Sequence, residues 1–413
     1  MTNKFLQQLF RYFETVSVVL LLLFAETLNI PSVVDKSINA VSYLIVTILV
    51  ISQFKRIVYV LTRDISLLLL VMIAVLSNLW SEAIDVTSIQ SRSLLRTTFF
   101  AAYLASRYSP RELISLLSST ISISIITSFA ASIAIPSFGT GVVNGKLTWK
   151  GIYAFKQYLA RFMAIGSLVF LMKILDKKYN TWLAFLGLVS SLILILQSQS
   201  KTALILFIFS LLVLPIFTIL KQSAGIRLIS LLIFATIFSS IVTIISLNLE
   251  FILVDLLGKD MELNGRIPVW TLVIEKALER RWFGYGYAAF WYSDEAYYIV
   301  KNSWASLSVG NEVSRFHSHN GFVDLFTQLG FVGLGLFIIN LINLFNRLIK
   351  IIIITKTLES FWMLQVLLIK IILNTVELIT ILSPSNIFWI LYVYIALSSA
   401  VWYRRLCNNQ PAM

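Results

Sequence analysis

TALILFIFSLLVLPIFTIL, residues 202–220, runs without a charge between Lys201 and Lys221. At ~1.5 Å per residue, a helical run of this length crosses the ~30 Å hydrocarbon core of a bilayer. Comparable runs recur at 14–31, 39–54, 65–81, 92–106, 113–135, 156–175, 181–198, 228–247, 322–345, 361–380 and 386–403. The sequence therefore predicts an all-α, polytopic integral membrane protein. It has about twelve transmembrane helices, in one domain spanning residues 1–413.

Composition agrees with this class. Of 413 residues, 58% are hydrophobic and 13% charged, and the mean hydropathy of +0.86 is too high for a surface kept in water. The net charge of +13 could suggest a nucleic-acid partner. Its carriers, however, fall in short clusters between apolar runs, as topology signals do, so no nucleic acid is expected. Lys55, Arg56 and Arg63; Arg107 and Arg111; Lys173, Lys177 and Lys178; Lys221 and Arg227; Arg347, Lys350 and Lys356; and Arg404 and Arg405 occupy alternate connections. The positive-inside rule makes these connections and both termini cytoplasmic. Cys407, the sole cysteine, lies beyond the last run and supplies neither a disulfide framework nor a thiolate metal site. The first run follows Lys4 and Arg11, but FAETLNIPS offers no small-x-small cleavage site, so it reads as a retained helix.

This orientation leaves one large outward loop, residues 248–321, between spans 9 and 10. It carries NGRIPVW (264–270), FGYGYAAFWY (283–292) and the start of RFHSHNGFVDLFTQLGFVGLG (315–335). Pro268 opens an amphipathic pattern over 268–281, read as a helix on the membrane surface. Phe322, Leu325, Phe326 and Leu329 share one helical face over 318–329, until Gly330, Gly333 and Gly335 interrupt it. The chain is expected to run along the interface there and then dive.

Both histidines of the protein, His317 and His319, fall in this loop beside Arg266 and Arg315. His319 and Asn320 stand where a helix begins, amid unpaired amides and a positive dipole end. A neutral imidazole there can take a hydroxyl proton, so His319 is a candidate general base. The plainer alternative is that Ser318 and Asn320 cap a helix and His319 sits at the interface. Arg266 follows a glycine in a turn, and its guanidinium is a fork suited to phosphate oxygens; snorkelling to lipid headgroups is the competing use. Lys201, in SQSKTAL, sits at the outer edge of a helix and could hold a phosphate. Arg161 lies inside the sixth span, where a cation needs a polar cavity or a partner, with Glu377 and Asp35 as partners to consider. Lys370, Asn374 and Glu377 share a helical face. Tyr285, Tyr287, Trp291, Tyr292, Tyr297, Tyr298 and Trp304 suit either sugar stacking or an interfacial belt. There is no Walker loop, HExxH or GxSxG. Asp260, Glu262 and Asp35 are the unspecific acidic options.

The NGRIPVW block, the FGYGY turn and HSHNGFVDLFTQLGFVGLG, followed by a long apolar helix, resemble the O-antigen ligase and polymerase superfamily, especially its exopolysaccharide-polymerase branch. Residues 77–114, SQSKTALI (198–205) and NTVELI (374–379) carry the same resemblance. It implies a glycosyltransferase of the bacterial inner membrane, without metal or cofactor, working on the periplasmic face. The implied donor is an undecaprenyl-diphosphate-linked oligosaccharide and the acceptor a saccharide hydroxyl. His319 then activates the acceptor, while Arg266, Lys201 and Arg161 hold the diphosphate. Asn320, His317, Arg315 and Glu377 support them, and a flippase and a chain-length regulator are expected partners. One departure is Lys156-Gln157, where relatives commonly carry Lys-Asn. Ligation of polysaccharide to lipid A-core is the near alternative. A transporter or flippase of lipid-linked sugars is the distant one; it is disfavoured because the chain has one outsized loop and no internal repeat. A metal-requiring transferase built on the acidic residues is a third.

Overall fold

The computed structural model describes residues 2–143, 145–176, 178–248, 250–251, 266–303, 316–376, 381–384 and 386–408. The helices in chain order are α1 (Thr2–Leu23), α2 (Ser32–Ser52), α3 (Phe54–Leu61), α4 (Ile65–Leu76), α5 (Ile84–Arg107), α6 (Pro110–Ala134) and the single turn α7 (Pro136–Gly139). After a hairpin of β1 (Thr140–Val143) and β2 (Lys146–Trp149) come α8 (Lys156–Leu175), α9 (Thr181–Gln197), α10 (Lys201–Leu220) and α11 (Ala224–Leu247). Next come α12 (Arg266–Glu279) and α13 (Asp294–Lys301), followed by α14 (Gly321–Thr355), α15 (Leu358–Val376) and α16 (Ile387–Cys407).

Each predicted span overlaps a helix; the third meets α4, which lies at 99° to α3, a helix formed where the sequence suggested a basic connection. Among the described residues, seven helices are long and apolar enough to cross a membrane, or eight if that bent pair is one span. Of the others, α9 has only 17 residues. The antiparallel hairpin, with Thr140 opposite Trp149, is an addition to the expected all-helical chain.

Local chemistry fixes many helix starts. Ser109 and Glu112 form a capping box, with Pro110 in the first turn of α6. Asn180, Ser200, Asn320 and Asn386 accept hydrogen bonds from the first amides of α9, α10, α14 and α16. α16 forms the centre of the bundle, buried from Ile387 through Val401, and packs on α5, α14 and α15. α2 lies at the periphery, with most of its side chains exposed. One polar network runs inside the bundle: Arg347 pairs with Asp64, Asn340 donates to Asp64 at 2.9 Å, and Tyr392 donates to Asn340. This network ties the start of α4 to α14 and α16, as the cost of bare polar groups in an apolar interior requires.

The loops gather at two ends. At one, Arg111 bridges Asp176 (2.5 Å) and Glu359 (3.2 Å), and Arg107 pairs with Glu14 at 2.7 Å. Arg56, Arg107, Arg111 and Arg405, from three parts of the chain, line one cavity there. At the other end, residues 27–29 pair with 152–154, and residues 77–87 meet the turn at 283–287. The histidine site belongs to this second end.

Candidate active site

A small apolar core outside the main bundle shapes the site. Val269 and Val273 of α12, Tyr285, Phe290, Trp291, Ala296, Ile299, Val300 and Phe316 pack together, with Val323 of α14 against them. Val269, Val273 and Ala277 recur at four-residue spacing, which puts them on one face of α12. Among the described residues the helix runs from Arg266, so it includes the two residues before the expected Pro268.

The His-Ser-His-Asn turn is held from three sides. Trp270 Nε1, one turn along α12 from Arg266, donates to the Ser318 carbonyl at 2.6 Å. Asn320 caps α14, its Oδ1 accepting from Phe322 and Val323 at 3.0 and 3.3 Å. Ser318 Oγ donates to the Asn320 carbonyl at 2.8 Å. Behind the turn, Asp324 accepts from Trp291 Nε1 at 3.1 Å. His319 itself adopts φ +56°, the left-handed region that costs a branched or bulky side chain. In this conformation its backbone N–H donates to His317 Nδ1 at 3.2 Å, and the two rings lie 4.0 Å apart, edge to face. The cap and the histidine pair are thus one structure.

Electrostatics set the protonation of the pair. Burial, then the neighbouring His319 and Arg266, pull His317 down to about 3. Burial, then Arg266, pull His319 down to about 4. Both rings are neutral at pH 7, and one guanidinium acts on both. Lys201 and Arg161 do not figure among the causes.

Beyond the turn, α14 breaks at Gly330, whose φ 61°, ψ −162° only glycine adopts comfortably. A Cβ there would stand 2.3 Å from the Trp282 carbonyl carbon. The freed carbonyls of the first segment are taken by the Gly-Tyr-Gly turn: Tyr285 N–H donates to Thr327 O at 2.9 Å, and Gly286 N–H to Gln328 O at 3.0 Å. In return, Phe331 N–H donates to Arg281 O at 2.7 Å. The amino-terminal half grips the same turn. Thr87 Oγ1 donates to Tyr287 O at 2.8 Å, Tyr287 N–H donates to Ser77 Oγ at 2.9 Å, Trp80 Nε1 donates to Phe283 O at 3.0 Å, and Glu82 pairs with Arg280.

The structure brings Arg266, His317, His319 and Asn320 together. Lys201 is exposed at the first turn of α10; nearby Gln199 donates to Leu147 of the hairpin. Arg161 is buried and faces Glu26 at 3.6 Å, with Tyr158 under its guanidinium at 4.7 Å. This carboxylate is neither Glu377 nor Asp35, the two partners expected. Lys370 is buried against the Ile381 carbonyl at 3.1 Å, and Asn374 Nδ2 donates to the Lys370 carbonyl at 2.7 Å. Of the aromatics, Tyr285, Tyr287 and Trp291 are core rather than sugar platforms, while Tyr292, Tyr297 and Tyr298 are exposed. Asn264, Gly265, Asp260, Glu262, Trp304, Arg315 and Glu377 lie outside the described residues. Among those described, no three His, Cys, Asp or Glu side chains gather as a metal cage. Two residues had no role from sequence: Trp270, although its motif was visible, and Asp324, whose place one turn after the Asn320 cap was the available signal.

Fold and site together define a multi-pass, all-α membrane protein whose histidine pair and arginine sit between α11 and α14, at the capped start of a broken helix. A family described as O-Antigen ligase matches residues 186–338, which include Lys201, Arg266 and both histidines. The exopolysaccharide production protein ExoQ of Rhizobium meliloti (strain 1021) is 31% identical over 93 residues, 22% of this chain and 21% of that protein. The match thus spans about a fifth of that relative's length. Over these stretches the chain is similar to the O-antigen ligase/polymerase superfamily.

Proposed function

We propose that this protein is a glycosyltransferase joining polyprenyl-diphosphate-linked saccharide units into an exopolysaccharide or O-antigen. We place it in the bacterial cytoplasmic membrane, with its site on the outer face. The observation that carries this reading is the neutral His317–His319 pair beside Arg266 at the capped start of α14. An acceptor hydroxyl attacks the anomeric carbon of the donor, its proton passing to His319, while the sugar–oxygen bond breaks and polyprenyl diphosphate leaves. Diphosphate is a competent leaving group, so cationic stabilisation and one base can suffice. Arg266 and the helix start supply the positive field. Lys201 meets the donor further along its headgroup in this reading, whereas Arg161, tied to Glu26, holds structure. A flippase supplying the donor and a chain-length regulator are the partners this reading calls for.

The test is turnover of a lipid-diphosphate oligosaccharide by purified protein in EDTA, read as released polyprenyl diphosphate. Turnover falling by roughly 10²–10⁴-fold in His319→Ala, with a comparable collapse in Arg266→Ala, is expected. Product length separates a polymerase from a ligase joining chains to lipid A-core. Movement of intact donor across the bilayer without release would replace the enzyme by a transporter.

A further inference from the structure

A second polar site lies on the same end of the molecule. A cavity of about 360 Å³ opens between α1, α2, α5 and α16, within the ~300–1,000 Å³ range of small-molecule sites. Arg96 of α5 projects into it, already oriented. Its guanidinium donates to Asn39 and, at 2.8 Å, to Ser42 Oγ, both of α2, and lies 4.5 Å over the Tyr43 ring. Gln90, one turn and a half before Arg96, lines the same space half-buried, and its amide has no hydrogen-bond partner among the described residues.

Charge decides what fits. Asp35 and Glu26 share the lining with Arg96, and Glu26 faces Arg161 behind it. The lining therefore holds one cation and two carboxylates, one of them paired from behind by Arg161, so it carries no excess of positive charge. A phosphate would bring its charge up to two carboxylates, which disfavours an anion here. Sugar hydroxyls both donate and accept, so they can serve the carboxylates, the amide and the guanidinium together, while Phe24 and Phe100 offer apolar faces to ring C–H groups.

The cavity also adjoins the active-site scaffold. Thr87, which holds the Tyr287 carbonyl, precedes Gln90 by about one helical turn, ~5 Å, on α5. Pro384 of the lining follows Leu382 by two residues, and the Leu382 carbonyl accepts from Tyr287 OH at 2.6 Å. The Gly-Tyr-Gly-Tyr turn is thus bound to the walls of this cavity on one side and to the helix of the histidine site on the other.

We propose that this cavity is a saccharide-binding subsite, holding uncharged sugar residues of the acceptor through Arg96, Gln90, Asn39 and Asp35. The word acceptor rests on the transferase reading; the saccharide site does not. The probe is an oligosaccharide cut from the cell's own exopolysaccharide, tagged with a diazirine and carrying neither lipid nor diphosphate. It is photocrosslinked to full-length protein in nanodiscs. Labelling is expected on peptides of α2 and α5, competed by untagged oligosaccharide and retained in His319→Ala. Gln90→Leu, which removes the amide at similar side-chain size without touching the Arg96 bonds, is expected to cut labelling at least tenfold, and Arg96→Gln to do likewise. Labelling confined to helices that do not line the cavity, or labelling that both variants leave intact, overturns the proposal. So does competition by phosphatidylglycerol vesicles but not by saccharide, which would make this an anionic-headgroup pocket. Saccharide labelling in a protein that releases no polyprenyl diphosphate would uphold the subsite and sink the transferase reading alone.

Discussion

Trp270→Phe separates the scaffold of the site from its chemistry. The change keeps an aromatic ring but removes the indole N–H that reaches the Ser318 carbonyl at 2.6 Å. Ser318 is 1% exposed, so water cannot readily replace the lost donor. An unsatisfied buried carbonyl costs about 1–3 kcal/mol. At ~1.36 kcal/mol per factor of ten, that is roughly 5–150-fold in the opening equilibrium of the turn. The expected readout is hydrogen–deuterium exchange of the peptide covering residues 316–329. The amides of His319 and Asn320, now bonded to His317 Nδ1 and Ser318 Oγ, exchange faster by that factor, while those of α16 do not change. Turnover drops as well, by up to about 10²-fold, since a displacement near 1 Å at a reacting group costs that much. Parent-like exchange in the turn together with parent-like turnover would refute the role given to Trp270. Faster exchange throughout the bundle would instead show global unfolding and refute the claim that this bond acts locally.

Two other perturbations follow from the same geometry. Because burial and Arg266 hold His319 near 4, kcat/KM should fall as pH drops through about that value, and Arg266→Gln should move this acid limb to higher pH; a downward move would contradict the assigned cause. The histidine shifts also make folding stability decline as pH falls from about 6.5 towards 4, where the unfolded chain binds protons and the folded site does not, a trend that denaturant titrations across this window read directly. Gly330→Ala places a Cβ 2.3 Å from the Trp282 carbonyl carbon in a backbone region closed to alanine, so a loss of about 2 kcal/mol or more is expected, seen as a lowered Tm; an unchanged Tm would mean the break in α14 tolerates side chains.

What the sequence disclosed was local in origin. Apolar runs mark helices because length and hydropathy are properties of one segment, and the cap at Asn320 was legible because its acceptor serves amides two and three residues away. Breakage at Gly330 was legible for the same reason. Pairings across the chain were not. Trp270 and Ser318 are 48 positions apart, and Thr87 and Tyr287 are 200 apart; nothing in either residue's neighbourhood names the other. Arg161 shows the limit well: the cost of a cation in a span announced that it needed a partner, yet only packing selected Glu26 over Asp35. The aromatic loop divided along the same line. Tyr285 and Trp291 became core because a second apolar cluster forms outside the bundle, and Tyr287 because it joins the main one, both tertiary events, while Tyr292, Tyr297 and Tyr298 kept the exposure their composition suggested. The hairpin at 140–149 did carry a local signal, the Asn144-Gly145 pair between short apolar runs.

The depressed histidines bear on how such a site would avoid idle chemistry. A ring held near 4 is unprotonated at pH 7 but is a weak base, poorly matched to a hydroxyl. Binding of a diphosphate changes this in a definite direction. Its negative charge offsets Arg266, the second cause of the depression, and adds an anion that favours the protonated ring. His319 therefore gains proton affinity when the donor is seated, and kcat should show its acid limb at higher pH than kcat/KM. Burial, the first cause, persists throughout and keeps water from supplying the same proton acceptor. In the proposed reaction, acceptor activation is thus conditional on the leaving group, and the condition is set by Arg266, close enough to act on both rings.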